Sequence, residues 1–414
     1  MVVFFGSAFL KLTVEVDQVK TKLTILIVLL FSFVALETTF AQDTRFNFIG
    51  SGARARGMGG AFIGVADDAT AISWNPAGLA TLEKPEASAV GIYTFDKYTE
   101  KWTFSSWGPW DGKSSQSHPV FSFASVAFPV VVGKSNVVFA AAYQRLIDFY
   151  YQDEDSLWSE EVKGGVDAIS PGIAIQVIPE LSLGASVNIW TGHYDYKYTD
   201  KVNPTNNEDE KDLYKYSALN FNIGLMGHFE KAKIGAVLKT PVTIKEKYTI
   251  SDTAYADEYR FPLVLGFGVS FMPNENLTLA ADYEIRPFSK IKFYDDFTDT
   301  TYDMDHWQDI SQIRVGLEYL IVQDFGVLPV RLGFRTEPWI QKAWGEEKVT
   351  GLVFTGGLGV IVGNIWFDAA YELGLTEVKN DDDWDGDGIA DELEFKQTTH
   401  NIMLSAIIHF EPFQ

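Results

Sequence analysis

Twelve residues near the end of the chain, Asp383 to Glu394 (DWDGDGIADELE), have the spacing of an oxygen cage for a hard cation. They satisfy D-x-[DN]-x-[DN]-G-x5-E at every position, with Asp383, Asp385, Asp387 and Asp391 at loop positions 1, 3, 5 and 9. Gly388 permits the sharp turn at position 6, the carbonyl of Ile389 serves position 7, and Glu394 closes the loop bidentately. Oxygen ligands at this spacing suit Ca²⁺. The plainer alternative is an acidic loop tip facing solvent, as NNEDEKD at 206–212 reads. The match at all twelve positions makes Ca²⁺ binding the expectation. Strands rather than paired helices flank the motif, so it reads as an isolated extracellular calcium loop that orders its own connection and binds weakly.

Little else in the sequence could do covalent or redox chemistry. There is no Cys, which removes disulfides, thiol chemistry and thiolate metal sites. The six His (His118, His193, His228, His306, His400 and His409) are scattered without a paired metal spacing, and no Gly-x-Ser-x-Gly elbow is present. An enzyme is not expected. A net charge of -23 disfavours nucleic acid as a partner.

Nine ionisable residues have a spacing that gives them a common face. Asp282, Glu284, Arg286, Arg314, Glu318, Arg331, Arg335, Asp368 and Glu372 alternate with apolar neighbours within the ninth to thirteenth candidate strands, on four of the five. A basic residue facing lipid at mid-membrane would cost about 2–4 kcal/mol, so the set is expected to turn toward an interior lumen. Both signs are present. The set therefore reads as a charge network that braces a barrel and its contents, or as a path for polar groups; bracing is the simpler reading.

The elements that must carry these residues are strands. From about residue 84 to Phe410 the chain reads as fourteen segments of alternating apolar and polar residues. In the fifth, Leu181, Leu183, Ala185, Val187 and Ile189 share one face and Ser182, Gly184, Ser186 and Asn188 the other. The last repeats this with Ile402, Leu404, Ala406, Ile408 and Phe410 against Asn401, Ser405 and His409. Six short connections (131–135, 179–180, 230–232, 273–276, 322–326 and 363–364) alternate with seven longer polar stretches near 98–118, 151–162, 197–212, 251–258, 289–306, 339–349 and 376–397. An even strand number, tight turns on one side and long loops on the other describe an all-β, fourteen-stranded antiparallel transmembrane barrel of the bacterial outer membrane, in contact with its lipid. A mean hydropathy of -0.01 with 14% aromatic residues agrees. Alternation hides the hydrophobicity of such a wall, and the aromatics supply its girdles. Pro171, Pro241, Pro262, Pro287 and Pro338 fall in or near these segments. Each marks a strand end, a bulge or a break, and most are expected to be ends. A break at Pro241 or Pro287 would give an apolar ligand a sideways exit.

Before the barrel lie two further pieces. Leu23 to Leu36 is an apolar run preceded by Lys20 and Lys22 and followed by Thr39-Phe40-Ala41. It is short for a membrane-spanning helix, so residues 1–41 read as a signal peptide with an extended N-terminus, cleaved after Ala41. Residues 42–83 lack transmembrane alternation. They hold SGARARGMGGAFIGVADDATAISWNPAGLATLEKP (51–85), in which Gly57, Gly59 and Gly60 permit close backbone packing and Asp68 or Thr70 can cap a short turn that Pro76 limits. Such a piece fits inside a barrel as a hatch. No nucleotide-binding Gly spacing is present.

At GARARGMGGAF, ADDATAISWNPAGL and the Asn75-Pro76-Ala77 triplet, with weaker support from GAVLKTPVTIKEKY, the chain resembles the FadL/TodX family of outer-membrane transporters for hydrophobic compounds, and the related PorV-like group. The resemblance implies a barrel over residues 84–414 plugged by its N-terminal segment. Its ligands would be hydrophobic small molecules such as long-chain fatty acids, which enter from the outer loops, shift the plug and leave sideways into the membrane. It also implies an alternative in which the barrel docks secretion-system proteins. A diffusion porin is a third reading, disfavoured by the roughly forty residues of plug. The chain departs from the family at its end: HFEPFQ leaves Phe410 or Phe413 as the terminal aromatic that barrel-assembly machinery would read.

Overall fold

The computed structural model describes residues 48–104, 108–154, 157–202, 210–250, 253–342, 348–382 and 391–411. The expected signal peptide and cleavage site lie outside the described residues.

From Glu86 to His409 the chain forms one antiparallel sheet that closes on itself. Fourteen strands make the wall. They are β1 Glu86–Phe104, β2 Gly108–Val132, β3 Ser135–Asp148, β4 Trp158–Ile178, β5 Leu181–Asp200, β6 Glu210–Phe229, β7 Ala232–Lys239 continued by Val242–Ile250, β8 Thr253–Phe261 continued by Val264–Asn274, β9 Leu277–Arg286, β10 Ile310–Gln323, β11 Gly326–Pro338, β12 Thr350–Val362, β13 Ile365–Asp382 and β14 Asp391–His409. The seam pairs β1 with β14, Glu86 opposite His409, and Phe410 donates its amide to the carbonyl of Pro85 at 2.8 Å. Two-residue turns at 133–134, 179–180, 230–231, 275–276, 324–325 and 363–364 occupy all six short connections that the sequence predicts.

The outer connections are shorter than the polar stretches imply. β1 runs on to Phe104 and β2 starts at Gly108, so most of 98–118 is strand, with Trp102 opposite Trp110. β5 likewise continues to Asp200, β8 starts at Thr253, and β13 reaches Asp382. The physical reason is that above the lipid the outer face of a strand meets water instead of hydrocarbon, while inward residues such as Trp102 and Val378 stay buried. Alternation then disappears while the hydrogen-bonded ladder continues.

At membrane height the alternation is sharp. Leu183 and Ile189 of β5 are exposed while Ser182, Ser186 and Asn188 are buried. Phe221, Ile223 and Leu225 of β6, Phe267, Val269 and Phe271 of β8, and Ile402, Leu404 and Ile408 of β14 are all exposed on the outside. Leaving one such side chain in water forfeits about 1.5–3 kcal/mol of burial, so a belt of this size belongs in lipid.

Three neighbouring strands are interrupted at one height. β7 breaks at Thr240-Pro241 and β8 at Pro262-Leu263; their ladder stops at Lys239 opposite Val264 and resumes at Val242 opposite Phe261. β9 ends at Arg286, directly before Pro287. Pro has no N–H to give a ladder, which accounts for each interruption. Of the five Pro singled out in the sequence, Pro338 ends a strand and Pro287 follows one. Pro241 and Pro262 fall in the breaks that end the ladder segments of β7 and β8, and Pro171 alone of the five lies inside a continuous strand. At Pro171 the ladder between β4 and β5 skips from Ile169–Ile189 to Gly172–Ser186.

Inside the sheet lies the segment before β1, with α1 Ala53–Gly57, α2 Ala71–Trp74 and a 3-10 turn Pro76–Thr81. Met58, Phe62, Ile72 and Leu79 are buried in one apolar cluster with Val90, Phe123, Val138 and Met226 of the wall.

Candidate functional site

The N-terminal segment is seated by backbone contact. Asn75, fully buried, donates from Nδ2 to the carbonyls of Ile63 at 3.0 Å and of Leu225 on β6 at 3.1 Å, and its Oδ1 accepts from the amide of Ala77 at 3.2 Å. One side chain thus closes the turn into Pro76-Ala77 and joins it to the wall. Gly59 takes φ +68° and Gly60 φ +78°, a region that disfavours other residues. A Cβ on Gly59 would lie 2.6 Å from the amide of Phe334. Thr355 of β12 bridges this loop, accepting from the amide of Gly59 at 2.9 Å and donating to the carbonyl of Gly57 at 2.8 Å. Asp68, one of two candidate caps, accepts from the amide of Thr70 at 2.9 Å, whereas the N-cap position of α2 is Thr70 itself, without a side-chain cap.

The wall answers with glycines, of which the sequence pattern singles out only Gly184 as inward-facing. Added Cβ atoms at Gly184, Gly224, Gly235, Gly316 and Gly333 would overlap Pro76, Asn75, Ile63, Met58 and Gly59 respectively. Their signal was available: inner-facing positions on β5, β6, β7, β10 and β11 where an alternating strand carries Gly.

All nine ionisable residues on the common face are buried. Two Arg of α1 reach them. Arg54 grips Glu318 bidentately at 2.9 Å through Nε and Nη2, and reaches Asp67 at 2.6 Å through Nη1. Arg331 shares Glu318 at 2.6 Å and extends to Asp368 at 2.5 Å. Arg56 grips Glu372, which also accepts from Arg335 at 2.5 Å. On the neighbouring β9, Asp282 accepts the amides of Phe62 at 2.8 Å and Ile63 at 2.9 Å. Glu284 receives Arg286 at 2.5 Å, Arg314 at 3.5 Å and Lys239 at 3.2 Å. Each cation has a carboxylate partner. Buried charges persist only when paired and hydrogen-bonded, and this set ties segment to wall.

A cavity opens between this segment and the interrupted wall. Phe48, Ile49, Gly50 and Ser73 form one side; Thr240, Val242, Phe261, Pro262, Val264 and Phe288 bring it against the breaks in β7 and β8. Its solvent-accessible space is about 80 Å³. A chain of amides crosses its polar side. Gln144 donates to Ser170 at 2.8 Å, Ser170 to Asn188 at 2.8 Å, and Asn188 to Asn220 at 3.1 Å; Trp190 adds a bond to Asn220 at 2.9 Å. Thr240 mends the break on the β6 side. Its amide donates to the carbonyl of Phe221 at 2.9 Å, and its hydroxyl accepts from the amide of Phe221 at 3.0 Å.

Of the calcium-type residues, Asp383, Asp385, Asp387 and Ile389 lie outside the described residues, and Asp391 begins β14. The Glu394 carboxylate meets Lys396 at 2.7 Å, Lys101 at 3.2 Å and Lys379 at 3.5 Å.

No protein-family model matches this sequence, and no curated protein matches it. Solved structures do. A Pseudomonas aeruginosa FadL homologue superposes with TM-score 0.64 at 14% identity, covering 88% of this chain and 100% of that one. The Ralstonia pickettii toluene transporter TbuX gives 0.53 at 16%, covering 88% and 100%. The CymD monoaromatic hydrocarbon channel gives 0.55 at 14%, covering 88% and 99%. At these identities the likeness establishes the fold. It is that of the FadL and TodX-type barrels, the group that the residues around Asn75-Pro76-Ala77 resemble.

Proposed function

We propose that this barrel carries hydrophobic small molecules across the bacterial outer membrane, with the N-terminal segment as its plug and the interrupted wall as its exit. The observation that carries the reading is the meeting of two features. A largely apolar cavity lies beside Thr240 and Pro262, where β7 and β8 lose their ladder at the same height. A compound entering from the outer end rests against Phe48, Phe261 and Phe288, shifts the plug, and leaves sideways into lipid through the gap between β7 and β8, beside Thr240. The names of the structural neighbours, a toluene transporter and a monoaromatic hydrocarbon channel among them, support the substrate class. We propose also that Asp383, Asp385, Asp387, Ile389, Asp391 and Glu394 bind Ca²⁺ in the last outer connection, the ion displacing the Lys partners of Glu394.

The test is uptake of a labelled hydrophobic compound by cells with and without the protein. Pro241→Thr with Pro262→Thr restores two ladder donors, and is expected to slow uptake while the barrel still inserts. Unchanged uptake on deletion, together with co-purification of secretion-system proteins, would replace transport with a docking role. Steady ohmic conductance in planar bilayers would indicate a porin.

A further inference from the structure

We infer that the compound held in the cavity bears a hydroxyl group: the cavity is built for a small phenol or alcohol rather than for a plain hydrocarbon or a carboxylate. This rests on the transport reading and specifies its substrate. Asn222 and Lys239 are direct partners across β6 and β7, and both line the cavity. Asn222 is 7% exposed, and its buried Oδ1 has no hydrogen-bond partner among the described residues. Gln144, Ser170, Asn188 and Asn220, by contrast, are engaged with one another. Lys239 gives one hydrogen bond, to Glu284 at 3.2 Å, which leaves ammonium hydrogens to donate.

A single ligand atom that accepts from Lys239 and donates to Asn222 satisfies both, and a hydroxyl does so. A hydrocarbon leaves a buried acceptor unpaired. A carboxylate only accepts. It would face the Asn222 oxygen and bring a second negative charge to a Lys already balanced by Glu284. Much of the apolar lining is aromatic, with Phe48 edge-on to Trp190 at 5.4 Å and Phe261 edge-on to Phe288 at 5.6 Å, beside Ile49, Leu146, Val242 and Val264. Space of about 80 Å³ suits a single ring or a short chain.

Calorimetry of the full barrel in lipid nanodiscs with p-cresol, toluene and p-toluate tests this, protein-free discs correcting for partition. These probes share one ring and methyl group and differ in the hydroxyl or carboxylate. p-Cresol is expected to bind about tenfold tighter than toluene, the worth of about one neutral hydrogen bond, and p-toluate no tighter than toluene. Asn222→Leu should bring the cresol-to-toluene ratio to within about twofold, and Lys239→Gln should reduce it. Equal binding of cresol and toluene by the unmodified barrel, tighter binding of toluate, or a ratio that survives Asn222→Leu overturns the hydroxyl inference and leaves transport standing. Failure of all three compounds to bind overturns both. The comparison on the unmodified barrel decides the matter if a variant does not insert.

Discussion

Replacing Glu372 with Gln should loosen the N-terminal segment, and should do so more severely than replacing the Arg that it holds. Glu372 is fully buried and accepts from Arg56 at 2.7 Å with a second, shorter bond, from Arg335 at 2.5 and 3.3 Å, and from Asn401 at 3.2 Å. Arg335 keeps a second carboxylate, Glu337, at 2.9 Å. Arg56 has no other carboxylate partner among the described residues. Glu372→Gln therefore strands one buried guanidinium, at a cost of about 3–5 kcal/mol. Arg56→Met leaves Glu372 with Arg335 and Asn401, and should cost about 1–3 kcal/mol. With both changes no charge is stranded, so the double variant should be more stable than Glu372→Gln alone, by about 1–2 kcal/mol. Denaturant unfolding in detergent, followed by heat-modifiable mobility and Trp fluorescence, measures the losses, and limited proteolysis reports release of the segment. If the double variant shows the sum of both losses, or if Arg56→Met is the worse single change, burial of charge is not what ties α1 to the wall.

Three further outcomes are expected. Gly224→Ala puts a Cβ into Asn75 Oδ1 and should raise barrel conductance and proteolysis of the segment, whereas at Gly227 the nearest atom is a Phe229 ring carbon at 3.4 Å and Ala should be tolerated. Burial pushes the Asp68 carboxyl from its ordinary 3.8 up to about 6, against the pull of Arg54 at 3.5 Å. A carboxyl raised in the folded state contributes stability below its unfolded value and loses it as pH rises through the folded value. Attachment of the segment should therefore weaken between about pH 4 and pH 6, and Asp68→Asn should flatten that slope in pH-dependent proteolysis. Calorimetry should show weak Ca²⁺ binding that Asp385→Ala or Glu394→Ala abolishes; no heat at millimolar ion, the weak extracellular range, would end the calcium reading.

The wall was legible because a membrane imposes a period. Lipid outside and polar groups inside force alternation on β5, β6 and β14, and tight turns punctuate it. The outer extensions of β1, β2 and β13 were not legible as strands, because water in place of lipid on the outer face removes the apolar half of the period. The ionisable set could be assigned a common face from spacing alone, since no basic side chain rests comfortably in lipid. Its pairing could not: Arg54 meets Glu318 from 264 positions away. The same holds for the cavity, whose lining comes from β3, β5, β6, β7 and β8 together with residues 48–50, Ser73 and Phe288. Wall glycines such as Gly224 and Gly235 were readable as types but gained meaning only beside Asn75 and Ile63.

The interruptions at Thr240-Pro241 and Pro262-Leu263 also reset the phase of two strands. Below them the inner face of β7 is odd-numbered, at Gly235 and Val237; above, it is even-numbered, at Val242 and Ile244. β8 changes in the same way, from Asp257 and Phe261 to Gly266 and Gly268. Two residues of slack in each strand let the outer half turn its aromatics, Tyr248 and Tyr255 among them, toward the same interior as the glycines beneath. A one-residue deletion within either slack would turn every outer side chain of that strand inside out. The length of these two dipeptides is therefore under tighter constraint than their composition, and a closed ladder of ordinary strands could not host both halves in one tube.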